Sequence, residues 1–315
     1  MRGQVVVGVD GSKSSLDAVA VAAREARLRG CGLRVVHAFI WPLMGVPLGP
    51  SPLGPPEGGL RNQAERLVAE AVEHARDAAA DVTVTSAVVT GDALPVLEAE
   101  SRRAELLVVG SRGLGGFSGL LVGSTAVHLS AHGGCPVLMV RGESDPTEPI
   151  VLGIDGSQAG DTAVEFAFAE AAFRGTGIIA VHAWTPWNVE VPSPQDPSTP
   201  YASEPGMPAD GKERLLSGAL AGRLERYPGV PVERTVVRGG ARQALIEASR
   251  NAGLVVVGAR GRGGFKGLLL GSVSQAMLHH AHCSVAVVRG PADTGDPLAA
   301  RPADRWSWSS ERSSD

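Results

Sequence analysis

The sequence predicts an α/β protein made of two tandem domains, each a Rossmann-like, doubly wound parallel sheet of five strands. Two observations carry this prediction: apolar strand-like runs alternate with helical segments, and the whole pattern occurs twice. "VVVGVDGS" at 5–12 returns as "IVLGIDGS" at 150–157, and "LLVVGSRG" at 106–113 returns as "LVVVGARG" at 254–261. Solenoid units repeat every ~20–50 residues, so a repeat this long is a duplicated domain.

The first half of copy one gives clear signals for each element. "QVVVGV" at 4–9 is a continuous apolar run, as expected for a strand covered on both faces. "SLDAVAVAAREARLRG" has helical periodicity and ends at Gly30, a typical helix terminator. "LRVVHAF" at 33–39 is the second strand, and a loop rich in proline and glycine at 41–59 leads to a helix that begins near residue 60.

The second half of copy one completes the alternation. "DVTVTSAVV" at 81–89 alternates as a third strand, and Asp92 is placed to cap a short helix. "ELLVVG" at 105–110 is the fourth strand, and a glycine-rich stretch separates it from a helix that begins near Ser124. "PVLMVR" at 136–141 is the fifth strand, and copy two repeats the order. Right-handed crossovers between such strands produce a parallel sheet.

The boundary between the copies is predicted in the polar, proline-containing linker "ESDPTEP" at 143–149. The domains are therefore assigned to residues 1–143 and 148–290. Residues 291–315 lack periodicity and are predicted to be disordered, with two tryptophans that would be able to anchor a protein partner.

Composition excludes several classes of function. The net charge of −4 and an isoelectric point near 6.1 give no attraction to nucleic acid or to an anionic membrane. No apolar run approaches the ~18 residues of a membrane-spanning helix, and the N-terminus lacks a signal-peptide pattern. The three cysteines form neither a disulfide framework nor a metal-ligand motif. These features predict a soluble cytoplasmic protein without a metal site of its own.

The glycine-rich stretch is the strongest functional signal. "GSRGLGGFSGLLVGS" at 110–124 returns as "GARGRGGFKGLLLGS" at 258–272, with eleven of fifteen positions identical. It follows a strand and ends at a helix start, where free N–H groups and a partial positive charge suit a phosphate group. GxxxxGK[ST] and GxGxxG are both absent, so neither common phosphate motif explains it. The residues alone thus predict a nucleotide or similar phosphate ligand in each copy.

The spacing Gly-x2-Gly-x9-Gly-Ser resembles the ATP-binding signature of the universal stress protein family. The resemblance extends over both copies: an Asp after the first strand, a His near the end of the second, the signature, and a "CPVLMV"-type last strand. It implies the strand order 3-2-1-4-5 and an adenine nucleotide at the point where the strand order reverses. It also implies that the fifth strands of the two copies pair antiparallel as an intrachain pseudo-dimer, with further association into a homodimer.

By position, the resemblance implies a set of ligand contacts in each copy. Asp10 would lie near ribose or a Mg²⁺-bound phosphate, Ala38 would face adenine, and the residues of the signature would hold the base, ribose and phosphates. The contacts of copy one are Val9, Asp10, Ala38, Val109, Gly110, Arg112, Gly113, Gly123, Ser124 and Thr125. Those of copy two are Ile154, Asp155, Ala183, Val257, Gly258, Arg260, Gly261, Gly271, Ser272 and Val273. ATP is the expected ligand, with ADP or AMP as alternatives.

Several of these residues also have a purely structural interpretation. Asp10 and Asp155 are either ligand contacts or N-terminal caps of the following helix. The histidines and cysteines at equivalent places are interpreted as core residues, and the tryptophans beside the variable loops either pack locally or close the pocket. These residues are His37, His182, Cys135, Cys283, Trp41, Trp184 and Trp187.

Two functions remain open on the sequence: a nucleotide-responsive regulatory protein that is not an enzyme, and a slow ATP hydrolase. No carboxylate occurs between residues 106 and 142 or between 248 and 290, so a general base would have to come from Asp10, Asp155 or a distant loop. Signature loops of adenylyl transferases such as HIGH or KMSKS are absent. The sequence favours binding over turnover.

The two glycine-rich loops differ in charge. Arg262 and Lys266 of copy two replace Leu114 and Ser118 of copy one. Added cations near a polyphosphate predict a modest preference of copy two for ATP, which salt would weaken. The alternative is that these two cations face solvent or a partner.

Overall fold

The structure is a computed structural model that describes residues 3–40, 59–113, 122–142, 145–185, 209–261 and 269–290. The sequence predictions for Trp41, Trp187, the tail at 291–315 and the four loop positions that differ in charge lie outside the described residues. Most of the proline- and glycine-rich loop of copy one lies outside them as well.

Copy one contains the five strands and the helices that its sequence predicts. The ends of strands differ from prediction by one or two residues in most cases. The elements are β1 (Gln4–Gly8), α1 (Lys13–Arg29), β2 (Leu33–Phe39), α2 (Leu60–Ala78), β3 (Val84–Thr90), α3 (Ala93–Ser101), β4 (Ala104–Gly110), α4 (Ser124–His132) and β5 (Val137–Val140).

Copy two repeats this order, with a short α-helix added before its third strand and a 3₁₀ turn, Ser249–Asn251, added before its fourth. Its elements are β6 (Ile150–Gly153), α5 (Gln158–Arg174), β7 (Ile178–Trp184), α6 (Ala209–Leu220), α7 (Arg223–Arg226), β8 (Val232–Arg238), α8 (Ala241–Ala248), β9 (Leu254–Gly258), α9 (Ser272–His280) and β10 (Ser284–Val288).

Local side-chain and backbone chemistry sets where α1 and α5 begin and end. Ser12 caps α1 and Ser157 caps α5, each by accepting a hydrogen bond from a backbone N–H of the first turn. Both helices end at a glycine in the left-handed conformation, Gly30 and Gly175, with φ of 61° and 66°. Asp92 stands at the N-cap position of α3 as predicted, but its side chain makes no capping hydrogen bond.

All ten strands form one sheet in the order β3-β2-β1-β4-β5-β10-β9-β6-β7-β8. Within each copy the order is 3-2-1-4-5 with parallel neighbours, so the predicted fold class is confirmed. The sheet lies between two helical layers: α1, α2, α5 and α6 cover one face, and α3, α4, α8 and α9 cover the other. Each apolar layer contains residues of both copies, so the core is continuous across the chain.

The copies join through β5 and β10, which pair antiparallel with Leu138 opposite Ala286. Every residue of both strands is buried. A strand that is apolar on both faces cannot remain an exposed edge, so the pairing follows from the sequence of the strands. The predicted intrachain pairing of fifth strands is confirmed.

A ring of four buried charges joins α1 to α5 above this strand pair. Arg174 donates to Glu25 at 2.6 Å and to Glu170 at 2.7 Å, and Arg29 hydrogen bonds to the same two carboxylates. No member exposes more than 8% of its side chain. Glu25 and Arg29 occupy the positions that correspond to Glu170 and Arg174, so each copy contributes the same pair to a closed ring.

The pKa values of the two ring carboxyl groups shift in opposite directions: burial and the nearby Glu25 carboxylate raise the pKa of Glu170. Burial alone would raise the pKa of the Glu25 carboxyl, but the guanidinium groups of Arg29 and Arg174 outweigh it and lower this pKa to about 2. The pKa of Arg29 is raised, since the carboxylates of Glu170, Glu25 and Glu105 outweigh the cost of burial.

The ring predicts a charge-swap result. Glu25→Arg with Arg29→Glu keeps a pair within α1 but places like charges opposite Arg174 and Glu170. We expect the free energy of unfolding to fall by about 3–5 kcal/mol, the usual loss when a buried ion pair is broken. Adding Glu170→Arg and Arg174→Glu restores opposite charges across the interface and should recover most of the loss, as measured by denaturant unfolding.

The control is the same swap at an exposed pair, Arg61→Glu with Glu65→Arg on α2, whose side chains are 65% and 55% exposed. It should leave the free energy of unfolding nearly unchanged. A fourfold variant no more stable than the double variant would show that the ring does not join the copies through these charges.

Candidate functional site

The predicted site residues gather at the carboxyl ends of the strands in each copy. In copy one, β1 lies between β2 and β4, and the chain leaves β1 and β4 on opposite faces of the sheet. Such a switch point opens a crevice at this edge, where ligands of doubly wound folds bind. Copy two repeats the arrangement at β6 and β9.

Asp10 follows β1 and is fixed by the serine that caps α1. Its Oδ1 accepts hydrogen bonds from the backbone N–H of Ser12 at 3.0 Å and from the Ser12 hydroxyl at 2.7 Å. In copy two Asp155 accepts the same bonds from Ser157 at 2.9 and 2.7 Å. The helix cap is therefore the serine, and the aspartate supports it from two residues before.

The second glycine of the motif lies against this carboxylate. A Cβ atom added at Gly113 would stand 2.5 Å from Asp10 Oδ2, and one added at Gly261 would also collide with Asp155 Oδ2. Only glycine lets the loop after the fourth strand approach the aspartate this closely. The structure therefore brings Asp10 and Gly113 together across 103 positions of sequence, as the resemblance implies.

The first glycine of the motif has a packing role. A Cβ at Gly110 would lie 2.6 Å from the backbone oxygen of Ser14 in the first turn of α1, and at Gly258 it would lie 3.0 Å from the Arg260 oxygen. Val109 and Val257 beside them are buried in the core. These positions contribute close packing of strand and helix as well as any contact with a ligand.

The last part of the motif begins the helices α4 and α9. The N–H of Gly123 donates to Ser111 O at 2.8 Å, and that of Gly271 donates to Ala259 O at 2.8 Å, so these two amides hold the loop. Neither helix has a side-chain cap, in contrast to α1 and α5. The N–H groups that follow, from Ser124 and Thr125 in copy one, lack intrahelical partners by position.

Serines that sequence reasoning missed hold the loop in copy one. The N–H of Arg112 donates to Ser14 Oγ at 3.3 Å, and that hydroxyl lies 3.4 Å from Ser111 Oγ. Copy two has alanine at both serine positions, and Ser274 instead donates to the Ala259 and Gly271 carbonyls at 3.1 and 2.8 Å. Among the serines near the site, the helix caps Ser12 and Ser157 have a sequence signal, the repeated Asp-Gly-Ser pattern.

A cleft with a volume of about 410 Å³ opens between α1, this loop and the end of β5. Its lining includes one acidic and two basic side chains and three hydroxyl groups. Its lining consists of Ser12, Lys13, Ser14, Asp17, Ser111, Arg112, Gly113, Val140 and Gly142. Arg112 is exposed here, and Lys13 forms an ion pair with Asp17 at 3.0 Å.

The second strands supply half-buried alanines and a pair of histidines. Ala38 and Ala183 lie near the ends of β2 and β7. His37 Nδ1 donates to Val9 O at 2.8 Å, and His182 Nδ1 donates to Ile154 O at 2.8 Å. The imidazoles thus bind the backbone directly before each aspartate, which agrees with their interpretation as structural residues.

The other residues singled out by sequence have structural contacts. Cys135 and Cys283 are buried, and burial raises the pKa of the Cys283 thiol to about 12, which makes it unreactive at neutral pH. Trp184 packs locally, with the cations of Lys212 and Arg238 each 5.9 Å from its ring centre. Across the described ranges, no cluster of acidic, histidine and cysteine side chains is arranged to hold a metal, and no helix has the length and hydropathy to cross a membrane.

Two fused doubly wound domains, each with a Gly-x2-Gly-x9-Gly-Ser loop after its fourth strand, define a class of tandem α/β proteins. The chain belongs to the universal stress protein family, whose model matches residues 1–141 and again residues 146–289.

Relatives and solved structures agree with this assignment. The chain is 38% identical to "Universal stress protein Rv2623" of Mycobacterium tuberculosis strain H37Rv over 300 residues, covering 90% of this chain and 96% of the relative. It is 39% identical to "Universal stress protein Rv2005c" of the same organism over 302 residues, with the same coverage. A crystal structure of a universal stress protein from Archaeoglobus fulgidus DSM 4304 has the same fold, with a TM-score of 0.65, 17% identity, and coverage of 91% of this chain and 98% of that one.

The glycines predict a contrast in stability. Gly110→Ala should lower the free energy of unfolding by about 1–3 kcal/mol, because the new Cβ would overlap the backbone of α1. Gly123→Ala is the matched control, since its Cβ would lie no closer than 3.6 Å to a neighbouring atom. Denaturant unfolding measures both, and equal losses would contradict the packing role of Gly110.

Proposed function

We propose that this protein binds one adenine nucleotide, ATP, in each copy and responds to it without being an enzyme. The observation that carries the proposal is the same arrangement in both copies: a glycine-lined loop against a fixed aspartate, leading to a helix without a side-chain cap. Unpaired N–H groups at a helix start favour phosphate oxygens, and the helix dipole adds to the attraction.

The chain offers distinct surfaces for the parts of the nucleotide. The phosphates would meet Ser124 and Thr125 at the start of α4, with Arg112 beside them. The base would lie toward Ala38, whose half-buried methyl group is apolar. Copy two would use the equivalent residues, with Val273 in place of Thr125.

Mg²⁺ bound with the nucleotide would neutralise part of the phosphate charge. Asp10 and Asp155 fit this role, because they are carboxylates at the crevice and Mg²⁺ prefers oxygen ligands. The hydrogen bonds from Ser12 and Ser157 orient each carboxylate toward the glycine loop. The aspartates would then hold the ion against the phosphates.

The same hydrogen bonds argue against rapid turnover. A general base needs an oxygen placed to accept a proton from the attacking water. Asp10 Oδ1 already accepts two hydrogen bonds from Ser12. Residues 106–142, which include the glycine-rich loop, contain no carboxylate. The slow-hydrolase alternative therefore needs a general base from Asp10, Asp155 or a carboxylate outside these loops, whereas binding uses the whole crevice.

The binding proposal is tested by filling the phosphate path. Purified protein is first extracted and any nucleotide identified by mass, and ATP is then titrated by calorimetry with an expected stoichiometry of two. Gly123→Val with Gly271→Val should abolish binding without unfolding the protein, because the local space accepts a Cβ and the valine side chain would occupy the path proposed for the phosphates.

Gly240→Val is the control. Gly240 is also an N-cap glycine with open space around it, and its φ of −73° matches the −69° of Gly123 and the −73° of Gly271. Its substitution should leave ATP affinity unchanged. ATP binding that survives in the Gly123 and Gly271 double variant would refute the site.

The non-enzymatic proposal predicts phosphate release slower than about 1 s⁻¹, the low end of ordinary enzymes. Asp10→Asn with Asp155→Asn should weaken Mg²⁺-dependent ATP binding, because the carboxylates of the proposed ion site are lost, but should leave phosphate release below this rate at saturating ATP. A phosphate-release assay under saturating ATP measures both. Release above this rate that disappears in the double variant would support the hydrolase instead.

A further inference from the structure

Two arginines at the ends of the joined strands reach into the opposite copy. Arg141 directly follows β5, and its Nη1 donates to Ala281 O at 2.6 Å and to His279 O at 3.2 Å, while its Nη2 donates to Leu278 O. Arg289 directly follows β10, and its Nη1 donates to Gly133 O at 3.3 Å. Each guanidinium thus binds carbonyl groups at the C-terminus of a helix in the other copy.

The two contacts are equivalent by sequence and unequal in strength. Arg141 and Arg289 occupy matching positions of the repeat, as do Gly133 and Ala281, which follow α4 and α9. A cation at the carbonyl end of a helix satisfies otherwise unpaired acceptors and interacts favourably with the helix dipole. Arg141 makes three such bonds and Arg289 one, so α9 is held more firmly than α4.

The helices held in this way are the ones that begin at the third glycine of each motif. Both have nine residues, and an isolated helix of that length is marginal in water, so tertiary contacts determine whether it forms and where it lies. An α-helix of this size spans only about 14 Å. A contact that fixes its C-terminus therefore also fixes the position of its N-terminus.

We propose that Arg141 is a positioning residue for the phosphate-binding helix of copy two, and Arg289 for that of copy one, so that each copy completes the site of the other. The ligand in this inference rests on the proposed function, whereas the positioning of the helices does not. The consequence that distinguishes this inference is an effect on the opposite copy. Arg141 belongs to copy one and precedes Gly142, which lines the copy-one cleft, yet its loss should affect copy two.

Burial and a neighbouring cation disfavour the charge of each arginine, so the helix carbonyls have to compensate for these surroundings. Burial lowers the pKa of Arg141, and the nearby Arg112 guanidinium adds to the effect. Burial likewise lowers the pKa of Arg289, with Arg260 adding to it. A half-buried cation near a second cation is stabilised by the helix carbonyls that it binds.

The test uses the full-length chain with Arg141→Gln and, separately, Arg289→Gln. Amide hydrogen exchange without nucleotide is followed in α4 and α9. Arg141→Gln should speed exchange in α9 and leave α4 unchanged, and Arg289→Gln should do the converse to a smaller extent. Arg141→Lys, which keeps the charge but loses the second donor nitrogen, should fall between wild type and Arg141→Gln.

The second readout is ATP affinity at each site, with the other site closed by Gly123→Val or Gly271→Val. Arg141→Gln should weaken ATP binding at copy two about five- to tenfold and leave copy one unchanged. Arg289→Gln should weaken copy one by about two- to threefold, because only one hydrogen bond is lost. Arg250→Gln, which removes an exposed arginine paired with Glu247, is the control and should change neither site.

The outcomes separate this inference from the proposed function. Equal effects on both helices, or an effect on the copy that carries the substituted arginine, would overturn the crossed positioning. Crossed exchange with unchanged ATP affinities would overturn the claim that each copy completes the site of the other. A wild-type protein that binds no ATP would refute the proposed function, and the exchange pattern would still decide the positioning.

Discussion

The antiparallel pair of β5 and β10 is the contact on which the rest of the molecule depends. Both strands are buried along their whole length, so neither copy presents a satisfied sheet edge without the other. The pairing also brings α1 against α5 and α4 against α9. The charged ring, the contacts of Arg141 and Arg289 with the opposite copy, and the continuous core all depend on this strand pairing.

The ring of Glu25, Arg29, Glu170 and Arg174 contributes orientation more than net stability. Removing four charges from water costs several kcal/mol per ion, and well-packed apolar side chains would often be as stable. Apolar side chains would not fix the orientation of the helices, because their contacts are not directional. The four hydrogen-bonded charges fit only one arrangement of α1 against α5. The two copies present the same Glu and Arg positions, so the ring closes only when their relation is close to twofold symmetric.

Sequence reasoning reached most of the fold and part of the site, and the limits have physical causes. Continuous apolar runs revealed the strands, whereas their order came from the resemblance. The motif glycines could not be divided by role, because the packing of Gly110 on Ser14 and of Gly113 on Asp10 depends on contacts about 100 positions apart. Glu25 and Arg29 have the spacing of an ordinary surface pair, and only the pairing of the copies buries them.

A link between nucleotide and domain docking follows if the helices are positioned as proposed. If the Arg141 contact at the end of α9 strengthens nucleotide binding at its start, thermodynamic reciprocity requires that bound nucleotide strengthens the Arg141 contact by the same factor. A ligand bound only to the docked arrangement stabilises it in proportion to its saturation. ATP would then tighten the junction between copies without any chemical step, and a partner sensitive to that junction would detect the nucleotide. A protein built for this purpose needs no general base near the phosphates, which matches the absence of carboxylates from both signature loops.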